Sequence, residues 1–340
     1  MGKKQLRNIL NKEECLKRVA LEKFPRTTIS FYKYVSIENP AEFRDQLYAL
    51  WDAIGVLGRI YIAEEGINAQ LSVPTHHEKA LRASVDFIPP LSGIPFKYAL
   101  EEPNISFWKL TIKVRKHIVA HGIEEAIDLS KTGRHLNAEE WNQAIEDGAI
   151  VVDMRNAYET DIGHFEHAIT PKVDTFREEI PEVLNMLHDQ KDKKILLYCT
   201  GGVRCESVSA YMAQKGFRDV NQLNGGIIQY AEDIKKKGLP SKFVGQNYVF
   251  DGRIAEKVTE DILGQCYTCQ SPCDTHVNCK SDLCHALFLQ CNTCQENMTQ
   301  CCSVECQTFA SLPEEERIAK RKGRKAKFLV YRAEGPQAIS

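Results

Sequence analysis

Ten of the thirteen cysteines of this 340-residue chain lie between Cys266 and Cys306. The segment that holds them has no apolar periodicity long enough to build a hydrophobic core, so it needs another source of stability. Disulfides are typical of small secreted proteins, whereas this chain is long and begins with a charged, amphipathic segment rather than a signal peptide. The cysteines therefore predict a metal-binding module over residues 246–310.

The spacing of the cysteines favours zinc. Cys266-Tyr-Thr-Cys269 and Cys291-Asn-Thr-Cys294 are CxxC pairs, in which a tight turn brings two thiolates to one metal ion. We expect two structural zinc sites, the first formed by Cys266, Cys269, Cys291 and Cys294 and the second by Cys279, Cys284, Cys302 and Cys306. An iron–sulfur cluster is the alternative, although CxxC pairs with Asn and Thr between the cysteines hold zinc more often.

The middle of the chain, residues 135–242, alternates apolar strands with amphipathic helices. AIVVDMR and KKILLYC are predicted as buried strands, and the helical pattern ESVSAYMAQKGF follows the second of them. Strands and helices in alternation predict a parallel sheet covered on both faces. Ligands of such sheets bind beyond the carboxyl ends of the strands, so Cys199, the last residue of KKILLYC, is expected at a functional site.

The segment that follows this strand predicts a reactive cysteine. The active-site loop consists of Thr200, Gly201, Gly202 and Val203. It joins Cys199 directly to a helix, so backbone N–H groups point inward and favour an anion, and its glycines let the backbone curl tightly. Arg204 adds a positive charge. Because such surroundings lower the pKa of a thiol, we predict that Cys199 and Arg204 are catalytic and that the sulfur is exposed enough to react.

This part of the chain resembles a rhodanese domain. The resemblance rests on VVDMR, Gly163-His164-Phe165, the YCTGGVRC loop and the Asn224-Gly225-Gly226 turn. Four residues separate Cys199 from Arg204, as in the sulfurtransferases of this family, whereas related loops with one more residue hold a phosphate. The resemblance implies that the loop holds a sulfur atom. Cys205 is interpreted either as a small core residue or as a resolving thiol.

Residues 25–118 predict a separate α+β domain, preceded by a leader helix in residues 1–24. Strand and helix patterns follow one another in the order β-α-β-β-α-β, which is that of a ferredoxin-like sandwich. Aromatic and basic residues of this domain include Phe31, Tyr32, Lys33, Tyr34, Trp108 and Lys109. Packing within strands is the common role of such aromatic residues. The whole chain is thus expected to be an α/β multidomain protein.

The net charge of -2 indicates no particular partner, so the distribution of charge matters more. Cationic residues crowd between Arg317 and Arg332, within a basic tail at residues 311–340. This tail is interpreted either as a solvated, disordered end or as a phosphate-binding arm. No run of eighteen apolar residues occurs, which excludes a typical membrane-spanning helix, and we expect a cytoplasmic protein.

The chain as a whole resembles one family. PRTTISFYKY, GRIYIAEEGINAQLSVP, CTGGVRCE, NGGIIQYA and PCDTHVNC, in this order, are similar to segments of the bacterial tRNA uridine(34) hydroxylases. The resemblance implies conversion of the wobble uridine of tRNA to 5-hydroxyuridine, with O2 as co-substrate, the anticodon region as partner and Cys199 as the essential cysteine. It also implies that some of the aromatic and basic residues of the N-terminal domain hold an RNA base. No flavin, haem or nicotinamide motif is present. A rhodanese-type sulfurtransferase and a non-enzymatic, zinc-bearing adaptor are the alternatives.

Overall fold

A computed structural model describes residues 6–100, 105–323, 329–333 and 335–337, the last of these ranges as backbone only. The leader contains one helix, α1 (Lys12–Ala20). The side chain of Asn11 accepts the N–H of Glu14, and the carboxylate of Glu14 accepts the N–H of Asn11. This capping box satisfies two backbone donors at the start of the helix. Among the described residues, no helix is both long and apolar enough to cross a membrane.

The N-terminal domain is a five-stranded sheet with two helices. Its elements are β1 (Arg26–Tyr34), α2 (Pro40–Ala53), β2 (Leu57–Ala63), β3 (Gly66–Pro74), α3 (Glu78–Asp86), β4 (Lys97–Tyr98) and β5 (Leu110–Val114). The strand order is β4-β1-β3-β2-β5, in which the first four strands are antiparallel neighbours and β5 runs parallel to β2. The sequence predicts strands in FKYAL and SFWKLTIKV; the first supplies the short β4, and the second adds β5 at the opposite edge.

Alternate side chains of β3 lie on opposite faces of this sheet. Ile67, Ala69 and Leu71 are fully buried in the core that also contains side chains of α2 and α3. Asn68 and Gln70 point to the other face and are only partly buried. We call this second face, which also carries side chains of β1, β2 and β5, the open face.

The second domain has a four-stranded sheet. Its elements are β6 (Arg134–Leu136), α4 (Ala138–Glu146), β7 (Ile150–Asp153), α5 (Ala157–Thr160), β8 (Gly163–Phe165), α6 (Phe176–Met186), β9 (Lys194–Tyr198), α7 (Val203–Gln214), β10 (Asp219–Leu223) and α8 (Gly226–Lys237). The strand order is β6-β10-β9-β7, and all neighbours are parallel. Two separate apolar clusters contain side chains of this sheet and of its helices. The parallel sheet predicted for this part of the chain is confirmed.

Further strands connect the second domain to the cysteine-rich module. β11 (Phe243–Tyr248) pairs with β8 on one side and with β12 (Ala255–Lys257) on the other. The module contains β13 (His276–Asn278), β14 (Leu287–Leu289), α9 (Asn292–Asn297), α10 (Val304–Ala310), α11 (Glu314–Arg321), β15 (Val330–Arg332) and β16 (Gly335–Gln337). Its four strands form a sheet in the order β13-β14-β15-β16.

Part of the basic tail belongs to this sheet. β15 pairs in parallel with β14, and the guanidinium of Arg332 forms ion pairs with Asp161 at 2.8 Å and with Asp174 at 2.6 Å. Arg317, at the other end of the cationic segment, pairs with Asp282 at 2.6 Å. Both ends of the segment are therefore bound to carboxylates rather than solvated. Residues 324–328, which carry several of its cations, lie outside the described residues.

Candidate active site

Cys199 lies between β9 and α7, at the carboxyl end of a central strand. Its Sγ accepts hydrogen bonds from the backbone N–H of Gly202, at 3.1 Å, and from that of Arg204. Gly202 has a φ of 96°, a left-handed conformation that glycine adopts without strain. The loop therefore directs backbone donors at the sulfur, as an anion-binding nest does.

The first turn of α8 packs against the loop and donates hydrogen bonds to it. The N–H of Ile227 donates to the carbonyl of Cys199 at 3.1 Å. The N–H of Ile228 donates to the carbonyl of Thr200 at 3.2 Å. Gly226 lies so close to the loop that a Cβ at this position would be 2.5 Å from the carbonyl oxygen of Cys199. Only glycine fits there, so the position of α8 fixes the shape of the loop.

Arg204 lies close to the loop and is paired with Glu159. Two guanidinium nitrogens each donate to a carboxylate oxygen of Glu159 at 2.8 Å, and one of them also donates to the carbonyl of Met154 at 3.1 Å. Both side chains are buried. The guanidinium is thus held in place by a carboxylate, and it acts on Cys199 through its charge.

The pKa of Cys199 is lowered to about 6. Burial of the sulfur raises the pKa, but the hydrogen bond from Cys205, the charge of Arg204 and the backbone N–H groups of Arg204 and Gly202 together outweigh burial. At neutral pH Cys199 is therefore mainly a thiolate, which is the nucleophilic form of cysteine.

Cys205 is fully buried on the first turn of α7. Burial, and then its hydrogen bond to Cys199, raise the pKa of Cys205 well above that of an ordinary thiol. Cys205 therefore stays protonated beside the thiolate. Sequence analysis interpreted it either as a small core residue or as a resolving thiol, and the structure places the buried side chain in an apolar core cluster, as expected of a core residue.

Only 1% of Cys199 is exposed to solvent. The sequence predicts a more exposed sulfur, and this prediction is wrong because the N-terminal domain covers the loop. A Cβ on Gly202 would be 2.8 Å from the hydroxyl oxygen of Tyr32, which donates to Glu206 on α7 at 2.8 Å. Tyr34 likewise donates to the carbonyl of Val203, at 3.4 Å. The sulfur consequently lies at the floor of a cleft between the two domains.

This cleft has a volume of about 510 Å³, within the range of about 300–1,000 Å³ that small-molecule sites occupy. One wall is the Cys199 loop, and the other is the open face. The open face contributes Tyr32, Arg59, Tyr61, Gln70 and Arg115, among others. Lys97 is also buried in this wall, with its Nζ 4.4 Å from the centre of the Tyr32 ring, and burial lowers its pKa to about 8. The wall that faces the thiolate is thus aromatic, polar and cationic.

Eight cysteines of the C-terminal module form two groups of four. Within each group the sulfur atoms lie no more than 4.8 Å from one another. The groups are Cys266, Cys269, Cys291 and Cys294, and Cys279, Cys284, Cys302 and Cys306. Four thiolates bound to one zinc ion stand roughly 3.8 Å apart, and three sulfur pairs here are 3.6–3.7 Å apart. Each group therefore fits a metal ion, and the grouping coincides with the division predicted.

Glu65, His117 and His121 form a third group of potential ligands at the edge of the cleft. Their atoms already bond to protein groups. Glu65 bonds His117 at 3.0 Å and accepts the N–H of Ile118 at 2.8 Å, and Nδ1 of His121 accepts the N–H of Ile123 at 3.0 Å. Nδ1 of each histidine is thus occupied by a protein partner, and we assign no metal to this group.

Known protein families match all three parts of the chain. The UPF0176 acylphosphatase like domain matches residues 26–118, the rhodanese-like domain residues 137–233, and the rhodanase C-terminal domain residues 244–307. The tRNA uridine(34) hydroxylase of Leptospira interrogans is 51% identical over 324 residues, which are 95% of this chain and 88% of that protein. This chain belongs to the tRNA uridine(34) hydroxylase family. Its relative from Cronobacter sakazakii is 48% identical over 94% of this chain and 92% of that protein.

Among solved structures, the Alr3790 protein from Anabaena sp. is similar to part of the chain. It is 21% identical, and the match covers 32% of this chain and 91% of that protein, with a TM-score of 0.26.

The aromatic residues that were considered for binding an RNA base lie in different parts of the fold. Phe31 is buried in the N-terminal core against Trp51. Tyr32 and Tyr34 contact the rhodanese-like domain, whereas Trp108 is partly buried beside Lys12. Packing is therefore the role of Phe31, and the two tyrosines form part of the contact between the domains.

Sequence analysis missed most residues of the open face that line the cleft, among them Arg59, Tyr61, Gln70 and Arg115. On β2 and β3, buried residues alternate with polar or aromatic ones in GRIYI and INAQL, which is the pattern of a strand with one face outside its core. This alternation identifies the open face, but only the fold shows that the face lies opposite Cys199.

Proposed function

We propose that this chain hydroxylates the wobble uridine of tRNA to 5-hydroxyuridine, with O2 as co-substrate and Cys199 as the essential thiolate or persulfide. One observation carries the proposal: a cysteine with a pKa of about 6 at the floor of a cleft, in a chain whose curated relatives are named tRNA uridine(34) hydroxylase. The aromatic and polar open face supports an unstacked base as the occupant of this cleft. A tRNA substrate also places the enzyme in the cytoplasm.

A thiolate supports this reaction by adding to C6 of the uracil ring. The addition breaks the C5–C6 double bond and makes C5 an electron-rich enolate carbon. After a reductant has brought O2 to the peroxide level, C5 attacks one peroxide oxygen, so that the C5–O bond forms as the O–O bond breaks and water leaves. Loss of the C5 proton and departure of the sulfur then restore the double bond. The overall reaction converts uridine, O2, two electrons and two protons to 5-hydroxyuridine and water, so a reductant is a further co-substrate.

Sulfur transfer is the second candidate function. The backbone donors of the loop surround a single sulfur atom, and the loop lies in a region that matches the rhodanese-like family. In such a reaction Cys199 would carry sulfane sulfur from a donor to tRNA or to a small acceptor.

Mass spectrometry of tRNA nucleosides distinguishes these functions. Cells that lack the protein should lose the hydroxylated uridine, and the wild-type chain should restore it while Cys199→Ala does not. Urea unfolding of the purified variant provides the control for folding. Loss of a thiolated nucleoside instead would favour sulfur transfer. Full restoration by Cys199→Ala would contradict both enzymatic functions and favour a non-enzymatic adaptor.

We further propose that each group of four cysteines holds a structural zinc ion. The fit of the sulfur positions to tetrahedral thiolate ligation supports this assignment. The apolar clusters of the module are small and consist largely of the cysteines themselves, so bound metal would supply much of its folding free energy. Cys199 is the only cysteine among the residues described as lining the cleft, which agrees with a structural role for zinc.

A further inference from the structure

A second cavity of about 440 Å³ adjoins the cleft along the open face. The two cavities share Arg59, Tyr61 and Phe250 in their linings. The second extends away from Cys199 toward the edge strand β5, where Lys109, Thr111 and Lys113 line it. An extended ligand that entered the cleft would therefore continue into this cavity.

The backbone fixes the direction of these side chains. Leu110 and Ile112 of β5 are buried in the N-terminal core, so Thr111 and Lys113 point to the open face. Thr111 lies directly opposite Arg59 of β2, and Lys113 lies opposite Tyr61. The cationic and aromatic side chains of the two strands consequently share one surface.

The charge of this surface is unbalanced. Arg204 and Arg253, on the far side of the cleft, are neutralised by Glu159 and by Asp251 with Glu256. Within the described part of the chain, Lys109, Lys113 and Arg59 form no ion pair. Asp251, the acidic residue that lines the second cavity, is already paired with Arg253. Three cations therefore face this cavity without a counter-ion among the described residues.

We propose that the second cavity is a subsite for the nucleotide next to the uridine in the cleft, with Lys109 and Lys113 bound to its phosphates. The proposal rests on the proposed function. A base must leave its stack to reach Cys199, which is almost fully buried, so the neighbouring backbone crosses the open face as a single strand. Unpaired cations beside Tyr61 and Trp108 have the composition of single-strand binding surfaces, in which bases stack on aromatic rings.

The test compares two pairs of lysine substitutions in the full-length protein. Lys109→Gln/Lys113→Gln removes both proposed phosphate contacts. Lys193→Gln/Lys194→Gln is the control, because these exposed lysines lie at the start of β9, at the opposite end from Cys199. Fluorescence anisotropy measures the affinity for an unmodified tRNA transcript over a series of salt concentrations.

The first pair should weaken binding. It should also reduce the magnitude of the slope of log K against log salt by about 1.4, since each phosphate contact to a single strand contributes about 0.7 to that slope. The control pair should leave the slope unchanged, and the rate of Cys199 alkylation should be the same in all three proteins. An unchanged slope in the first pair, or an equal change in both, would overturn the subsite alone. A wild-type chain that binds no tRNA would overturn the proposed function as well.

Discussion

At the scale of single residues, the chemistry of Cys199 depends on its own motif and on one residue outside it. Cys205 and Arg204 belong to the YCTGGVRC motif and lower the pKa of the thiol, whereas Glu159, on α5, holds Arg204 near the loop. The loop itself was predictable, because a buried strand, two glycines and a helix are consecutive in the sequence. The partner of Arg204 was not, because Glu159 lies on a different element and meets Arg204 only in the folded chain.

Cys205→Ala tests how far one donor controls this thiol. Loss of the S–H removes the interaction that contributes most to lowering the pKa of Cys199, so that pKa should rise from about 6 towards the ordinary value of about 8.5. The thiolate predominates only above the pKa, so alkylation of Cys199 at pH 7 should slow. Peptide mass spectrometry after brief iodoacetamide treatment over a pH series gives the midpoint for this residue.

Cys205→Ser is the matched control, because its hydroxyl still donates to the sulfur. Its alkylation midpoint should stay near that of the wild-type protein. Equal midpoints in the alanine variant and the wild type would show that Arg204 and the backbone N–H groups alone stabilise the thiolate.

At the scale of elements, the sequence predicted the type of most strands and helices but not which of their faces meet. The alternation in β2 and β3 shows one apolar and one polar face, and nothing local says that the polar face covers Cys199. β15 was missed for a related reason. It is a short segment in a basic tail, and its strand conformation depends on pairing with β14 and on the ion pairs of Arg332.

Gly226→Ala tests the contact between α8 and the active-site loop. Gly226 has a φ of 70°, which costs alanine about 1–2 kcal/mol. The new Cβ would also collide with the carbonyl oxygen of Cys199, and such overpacking costs about 1–3 kcal/mol more. We expect a lower urea midpoint and, because the loop is displaced, loss of the hydroxylated uridine in complemented cells.

Gly238→Ala is the control that separates the effect of backbone strain from the effect of the steric collision. Gly238 has a φ of 65°, and a Cβ there would meet nothing within 4 Å. This variant should lose some stability through backbone strain yet retain activity. If both variants were equally active, the close contact at Gly226 would not position the loop.

At the scale of the whole molecule, the candidate active site is formed between domains. The Cys199 loop is one wall of the cleft, and the open face of the N-terminal domain is the other. The segment that leads into the cysteine-rich module joins both domains, because β11 pairs with β8 and Glu256 of β12 accepts the N–H of Leu100 in the N-terminal domain. Phe250 of the same segment lines the cleft. The order of domains was predictable from motifs, whereas a cleft between them follows from contacts that a linear pattern does not contain.

The metal content of the module is therefore expected to affect the stability of the whole chain. The purified chain should contain two zinc ions by elemental analysis, and Cys266→Ser and Cys302→Ser should each lose one, because each removes a thiolate from a different group. Cys273→Ser is the matched control, since this buried cysteine belongs to neither group, and it should keep both ions. Each zinc-depleted variant should also unfold at lower urea concentration. Iron with visible absorbance in anaerobically purified protein would contradict the zinc assignment.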